Sequence, residues 1–135
     1  MSKPSAGTYV IYNRVLDASG RKLAITYNGE GNYATATPLS NGDLQKWIIR
    51  DFDPQTQSVT PATNSGLQAG WGSEGVEVLP AGNYVWTIRS SDSGYTIKDG
   101  GVTVNWGLGT AVEGQKIAIG SDTGNEKQRW ILERV

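Results

Sequence analysis

The chain has 135 residues, with 12 Lys and Arg against 13 Asp and Glu, for a formal net charge of -1. That length suits one domain with a substantial core, and the charge balance argues against a nucleic-acid partner or insertion into an anionic membrane. Cys and His are both absent, which removes disulfide frameworks, Ser-His-Asp and Cys-His catalysis and the usual zinc sets, so no metal site or cofactor is expected.

Carboxylates are present, so composition alone leaves a glycosidase pair open. No apolar run approaches the ~18 residues of a membrane span. Residues 1–7 are polar and carry no signal-peptide core, and together with the lack of Cys they set the expectation of a cytoplasmic protein.

Taken in order, the chain reads as short strands. Tyr9-Val10-Ile11-Tyr12, Lys22-Leu23-Ala24-Ile25-Thr26-Tyr27 and Lys116-Ile117-Ala118-Ile119 are alternating segments set between clusters of Gly, Asn, Asp and Ser. With 18 Gly and no long amphipathic helical run, the fold class is all-β, a small barrel or sandwich.

Three segments end alike: Gln45-Lys46-Trp47-Ile48-Ile49-Arg50, Tyr84-Val85-Trp86-Thr87-Ile88-Arg89 and Gln128-Arg129-Trp130-Ile131-Leu132-Glu133. A second landmark precedes each, with Leu23 four before Tyr27, Leu67 four before Trp71, and Val102 four before Trp106. Gly7-Thr8-Tyr9-Val10-Ile11 also echoes Gly94-Tyr95-Thr96-Ile97. The repeat divides the chain at about 7–53, 54–92 and 93–135, and four strands per lobe make a twelve-stranded β-trefoil with three pseudo-symmetric lobes. Trp47 and Trp130 are expected to pack the core. Trp86 belongs to the same series, but its lobe is the one that departs from the pattern.

That departure marks the candidate site. Six positions separate Pro80 from Trp86, against nine from Pro38 to Trp47 and ten from Gly120 to Trp130, and Tyr84 replaces the Gln of the other lobes. The same lobe gathers Trp71, Asn83, Tyr84 and Trp86 among glycines. Aromatic faces can cover the C–H face of a sugar ring, and nearby polar groups can meet its hydroxyls. Glu74 and Glu77 read as a solvated loop rather than an acid/base pair. Gly70-Trp71-Gly72 lacks the Lys and following helix of a phosphate loop.

Gln-x-Trp near the end of a trefoil lobe, here in the first and third, resembles the fungal ricin-B-type lectins. In that family an Asp early in a lobe pairs with an aromatic ahead of Gln-x-Trp. Asp17 and Asp99 occupy the Asp positions, but Thr37-Pro38 and Ile119-Gly120 supply no ring, so both Asp residues read as turn formers. A longer resemblance runs through residues 9–16 and 22–27, Gly70-Trp71-Gly72, Asn83-Tyr84-Val85-Trp86-Thr87 and the third lobe through Trp106. It is to the fucose-recognising β-trefoil lectins of ink-cap fruiting bodies.

This resemblance implies a single site in the second lobe for the α1,3-fucosylated GlcNAc core of N-glycans. It further implies a non-catalytic, monomeric, cytoplasmic defence lectin toxic to nematodes, with fucosylated N-glycans and glycoproteins as partners. Residue by residue it implies Trp71, Leu79, Asn83, Tyr84, Val85, Trp86 and Thr103. Phe52 stands where the family has Tyr, and the loop from Trp71 to Asn83 is one residue shorter. The competing reading is a trefoil protease inhibitor presenting the loop Asp51-Phe52-Asp53-Pro54-Gln55-Thr56-Gln57.

Overall fold

Short runs rich in apolar and β-branched residues form strands throughout the computed structural model, which describes residues 2–91 and 94–135. The first lobe holds β1 (Gly7–Asn13), β2 (Leu23–Thr26), β3 (Thr35–Pro38) and β4 (Lys46–Asp51). The second holds β5 (Gln57–Pro61), β6 (Leu67–Trp71), β7 (Val76–Pro80) and β8 (Trp86–Ser91). The third holds β9 (Gly94–Asp99), β10 (Val104–Gly107), β11 (Gln115–Lys116), β12 (Ala118–Ser121) and β13 (Trp130–Arg134). Because β11 and β12 are one arm interrupted at Ile117, each lobe has the expected four strands. The expected boundary between the second and third lobes, at 92/93, lies outside the described residues.

Six strands close on themselves, β1 to β4 to β5 to β8 to β9 to β13 and back to β1, all antiparallel. Closure leaves this ring without a free edge. The other strands form three hairpins, β2–β3, β6–β7 and β10–β12. The hairpins meet in a ring of backbone hydrogen bonds. Ala34 N–H donates to Val76 O, Val76 N–H to Ile117 O, and Ile117 N–H to Ala34 O, each at 2.9 Å. All three residues are buried, one from each lobe, and they mark the pseudo-threefold axis of a β-trefoil.

Inside, Trp47, Trp86 and Trp130 are almost fully buried. Each spends its one polar atom in the same way. The indole N–H of Trp47 donates to Ile25 O at 2.9 Å, that of Trp86 to Ala69 O at 2.9 Å, and that of Trp130 to Trp106 O at 3.1 Å. A buried indole N–H left without an acceptor would offset part of the ring's stabilisation, and for these three rings the hairpin backbone supplies one in every lobe.

These contacts correct the sequence alignment of the third lobe. Leu23 pairs with Pro38, Leu67 with Pro80 and Val104 with Ser121, so Val104, not Val102, is the counterpart of Leu23 and Leu67. Trp106 then occupies the place of Ile25 and Ala69, and Leu108 that of Tyr27 and Trp71. The backbone agrees, since Tyr27 N–H donates to Leu44 O and Leu108 N–H to Lys127 O. Val102 sits instead in the exposed turn after β9, at φ 57. Its spacing to an aromatic imitated the repeat without belonging to it.

Candidate functional site

The first and third lobes each enter their Trp strand through a short 3-10 turn, Asp43–Gln45 and Glu126–Gln128. The second lobe runs from β7 to β8 with no such turn. In the other two lobes the turn's carbonyls cap the hairpin strand, through Leu44 and Lys127. Without it, the second hairpin pairs one step further, to Trp71 with Val76, and its end is uncovered. Trp71 is 49 % exposed, whereas Tyr27 is half-buried and Leu108 is buried at the equivalent places. The shorter connection is therefore what bares an aromatic ring.

That ring is held from behind. Trp71 and Trp86 lie 8° from parallel with centroids 6.1 Å apart, and Trp86 meets Trp106 edge-on at 4.9 Å. Trp86 is 1 % exposed. Of the two, Trp71 presents the ring surface, and Trp86 fixes its orientation from within the core.

On the opposite face of the hairpin, Tyr84 lies over Gly70. A Cβ at Gly70 would stand 3.0 Å from Leu79 Cδ1 and 3.2 Å from both Tyr84 Cδ atoms, so glycine lets this ring settle on the strand without displacing its neighbours. Tyr84 and Leu79 are half-buried. Gln68, one step from Gly70 on the same face and paired with Leu79, accepts the Gly82 N–H at 3.1 Å and the Tyr84 N–H at 3.2 Å on Oε1.

Gln68 is the residue that sequence reasoning missed. In the first lobe Gln45 accepts the Ser40 N–H, and in the third Gln128 accepts the Thr123 N–H. Both belong to Gln-x-Trp, and both acceptances fall two residues past the hairpin strand. Tyr84 displaced that Gln in the second lobe, and Gln68 took over its task from the neighbouring strand. The signal was available: a turn of the same kind needed a cap, and its usual Gln was gone.

Asn83 is exposed and has φ 66. Asn41 (φ 61) and Gly124 (φ 75) stand at the same step past their hairpins, so this left-handed position belongs to the trefoil turn itself, and Asn tolerates it well. Val85 is half-buried and faces the turn after β9, with its Cγ2 3.7 Å from a Cβ placed at Gly100. In that turn Asp99 accepts the Thr103 hydroxyl at 2.8 Å and the N–H groups of Thr103 and Val104 at 2.6 and 3.0 Å. Desolvation pushes the Asp99 carboxyl up, but these donors outweigh it and hold it below its ordinary value. Thr103 is exposed, and its hydroxyl keeps only acceptor capacity.

Six of the seven expected residues thus fall into three contacts, Trp71 on Trp86, Tyr84 and Leu79 over Gly70, and Val85 against the Thr103 turn, while Asn83 stands exposed in the turn between them. The consecutive residues Tyr84, Val85 and Trp86 link all three. Phe52 is exposed in the β4–β5 turn, its N–H donating to Thr56 O at 3.0 Å. Asp17 is a turn former like Asp99, accepting the Ser19 and Arg21 N–H groups at 2.9 and 2.8 Å. Glu74 pairs with Lys116 at 2.8 Å. Among the described residues no cluster suited to a metal ion and no enclosed pocket is found; the candidate site is open surface.

Comparison with known proteins follows the geometry. A family model described as CCL2 lectin-like matches residues 7–130. No curated protein matches the chain in sequence. Among solved structures, a mosquitocidal holotoxin superposes with a TM-score of 0.84 at 16% identity over 98% of this chain, which spans only 18% of that protein. The Rhizoctonia solani agglutinin gives 0.79 at 19% identity, covering 100% of this chain and 99% of its own. The Macrolepiota procera ricin B-like lectin, solved in complex with lactose, gives 0.72 at 18% identity and covers 100% of both chains. At these identities the structural likeness speaks to the fold.

Proposed function

The chain belongs to the CCL2-like lectin family, and from that premise we propose that its second lobe binds the α1,3-fucosylated chitobiose core of N-glycans. The observation that carries the reading is the half-exposed Trp71 ring, bared by the missing 3-10 turn and backed by Trp86. A sugar C–H face stacks on such a ring. Leu79, Val85 and Tyr84 offer an apolar wall for the fucose methyl, and Asn83 and Thr103 offer partners for hydroxyl and N-acetyl groups.

The resemblance extends the proposal to a monomeric, non-catalytic, cytoplasmic protein of fungal defence against nematodes. Titrating fucosylated and unfucosylated chitobiose side by side tests the specificity, with much weaker binding expected for the second and none for simple galactosides. Equal affinities for the two would remove the fucose pocket from the proposal.

One observation favours the protease-inhibitor alternative. The exposed loop around Phe52 is a built turn, in which Asp53 Oδ1 accepts the Gln55 N–H, the Thr56 N–H and the Thr56 hydroxyl at 2.7–2.9 Å. Sub-micromolar inhibition of a papain- or trypsin-like protease, with no glycan bound, would reverse the ranking.

A further inference from the structure

We infer that Gln68 is a specificity-determining residue, donating a hydrogen bond from its side-chain amide to an acceptor oxygen, hydroxyl or N-acetyl carbonyl, of the bound glycan. This rests on the second-lobe reading above and adds to it a residue that neither the repeat nor the resemblance supplied.

The orientation of the amide is fixed by chemistry. Two backbone N–H groups, of Gly82 and Tyr84, converge on one atom of the Gln68 side chain. Only the carbonyl oxygen can accept them, so the alternative flip is excluded and Nε2 must point away from the turn. Nε2 meets no acceptor among the described residues, and it is not among the buried unpartnered atoms, although Gln68 as a whole is half-buried. An accessible donor therefore stands beside Leu79, its cross-strand partner, and next to the Gly70 step on which Tyr84 rests.

The other two lobes show that this is a particular arrangement. Gln45 Nε2 has three acceptors inside its lobe, Thr26 Oγ1, Thr37 Oγ1 and Pro38 O, and Gln128 Nε2 donates one of its two hydrogens to Ser121 O. The three glutamines cap equivalent turns through oxygen, and of their amide nitrogens only that of Gln68 meets no acceptor at all among the described residues. The second lobe is also the one whose hairpin end is bared. Moving the cap from the 3-10 turn before the Trp strand to β6 both holds the Tyr84 backbone in place and turns an amide donor outward.

Gln68→Glu separates the two roles, because a carboxylate still accepts from Gly82 and Tyr84 but no longer donates. Calorimetric titration with α1,3-fucosylated chitobiose should show a roughly tenfold to hundredfold loss of affinity, while the Gly82 and Tyr84 amides keep their protection from hydrogen exchange. Wild-type affinity in Gln68→Glu overturns the inference. Should the variant lose its turn, the wild type decides: the two Gln68 side-chain amide proton signals must shift and exchange more slowly on saturation with the glycan, and unmoved signals overturn it.

Trp71→Ala is titrated alongside. If it loses binding and Gln68→Glu does not, the site stands and Gln68 falls; if neither loses binding, the second-lobe reading falls and takes this inference with it. A wild type that ignores fucosylated chitobiose but takes another glycan removes the fucose assignment alone, and the Gln68 comparison is then made with that glycan. A wild type that binds no glycan removes both.

Discussion

The indole of Trp71 lies nearly parallel to that of Trp86, 6.1 Å away, with one ring half in solvent and the other sealed in the core. The pair joins framework to surface. Trp86 belongs to the threefold series through its N–H bond to Ala69 O, and it sets the plane in which Trp71 meets the outside. Stability and recognition are thereby coupled at one contact and separable at the others.

Trp47→Ala and Trp130→Ala should each lower stability by about 3–5 kcal/mol, the usual cost of emptying a buried Trp site, with little effect on glycan affinity in the folded fraction. Trp86→Ala should do both, because the cavity also removes the surface behind Trp71. Thermal melts and glycan titrations on the three variants check this. A Trp86 variant with wild-type affinity would show that Trp71 needs no backing.

Trp71→Ala and Tyr84→Ala should abolish or strongly weaken glycan binding in proteins that stay folded. Both rings are partly exposed and neither is among the buried Trp of the core. Circular dichroism with glycan titration is the check, and retained affinity in both variants would move the site out of the second lobe.

Asn83→Ala places a Cβ residue without Asn's local hydrogen bonding at φ 66, which costs about 1 kcal/mol in the left-handed region. Asn83→Gly keeps that backbone comfortable, as Gly124 does in the third lobe. The Gly variant is thus the clean probe: reduced affinity with an unchanged melting temperature is expected if the side chain meets sugar. Unchanged affinity in Asn83→Gly would assign Asn83 to the turn alone.

Acid should destabilise the protein through its turns. The Asp17 carboxyl is lowered chiefly by the Arg21 N–H, and that of Asp99 is lowered despite its desolvation. Asp51, Asp53, Asp122 and Glu74 are lowered as well. A carboxyl depressed in the folded state stabilises above its unfolded value, and the contribution is lost as pH falls through the lower folded one. The melting temperature should therefore decline as pH drops below about 4. With no His in the chain, no His titration should add a step between about pH 5 and 8. Melting curves from pH 8 to 2 test both statements. Glycan affinity should fall over the same acid range, as the Asp99 turn that carries Thr103 loosens.

The sequence by itself carried the threefold pattern, because a buried ring recurring at Trp47, Trp86 and Trp130 must be encoded as a residue. It also carried the odd lobe, because a shorter connection and a Tyr in place of Gln are visible in the chain. Only the tertiary structure decided which ring faces outward, since Trp71 and Trp86 differ by what covers them and not by residue type. It decided the register of the third lobe, where strand pairing set Val104 and not Val102 beside the core. It also decided which residue fills the missing cap: the loss of the usual Gln was legible, but Gln68 lies 14 and 16 residues from its partners Gly82 and Tyr84. The ring joining Ala34, Val76 and Ile117 runs wholly through backbone atoms, which every residue but proline possesses in full and which leave no signature in sequence.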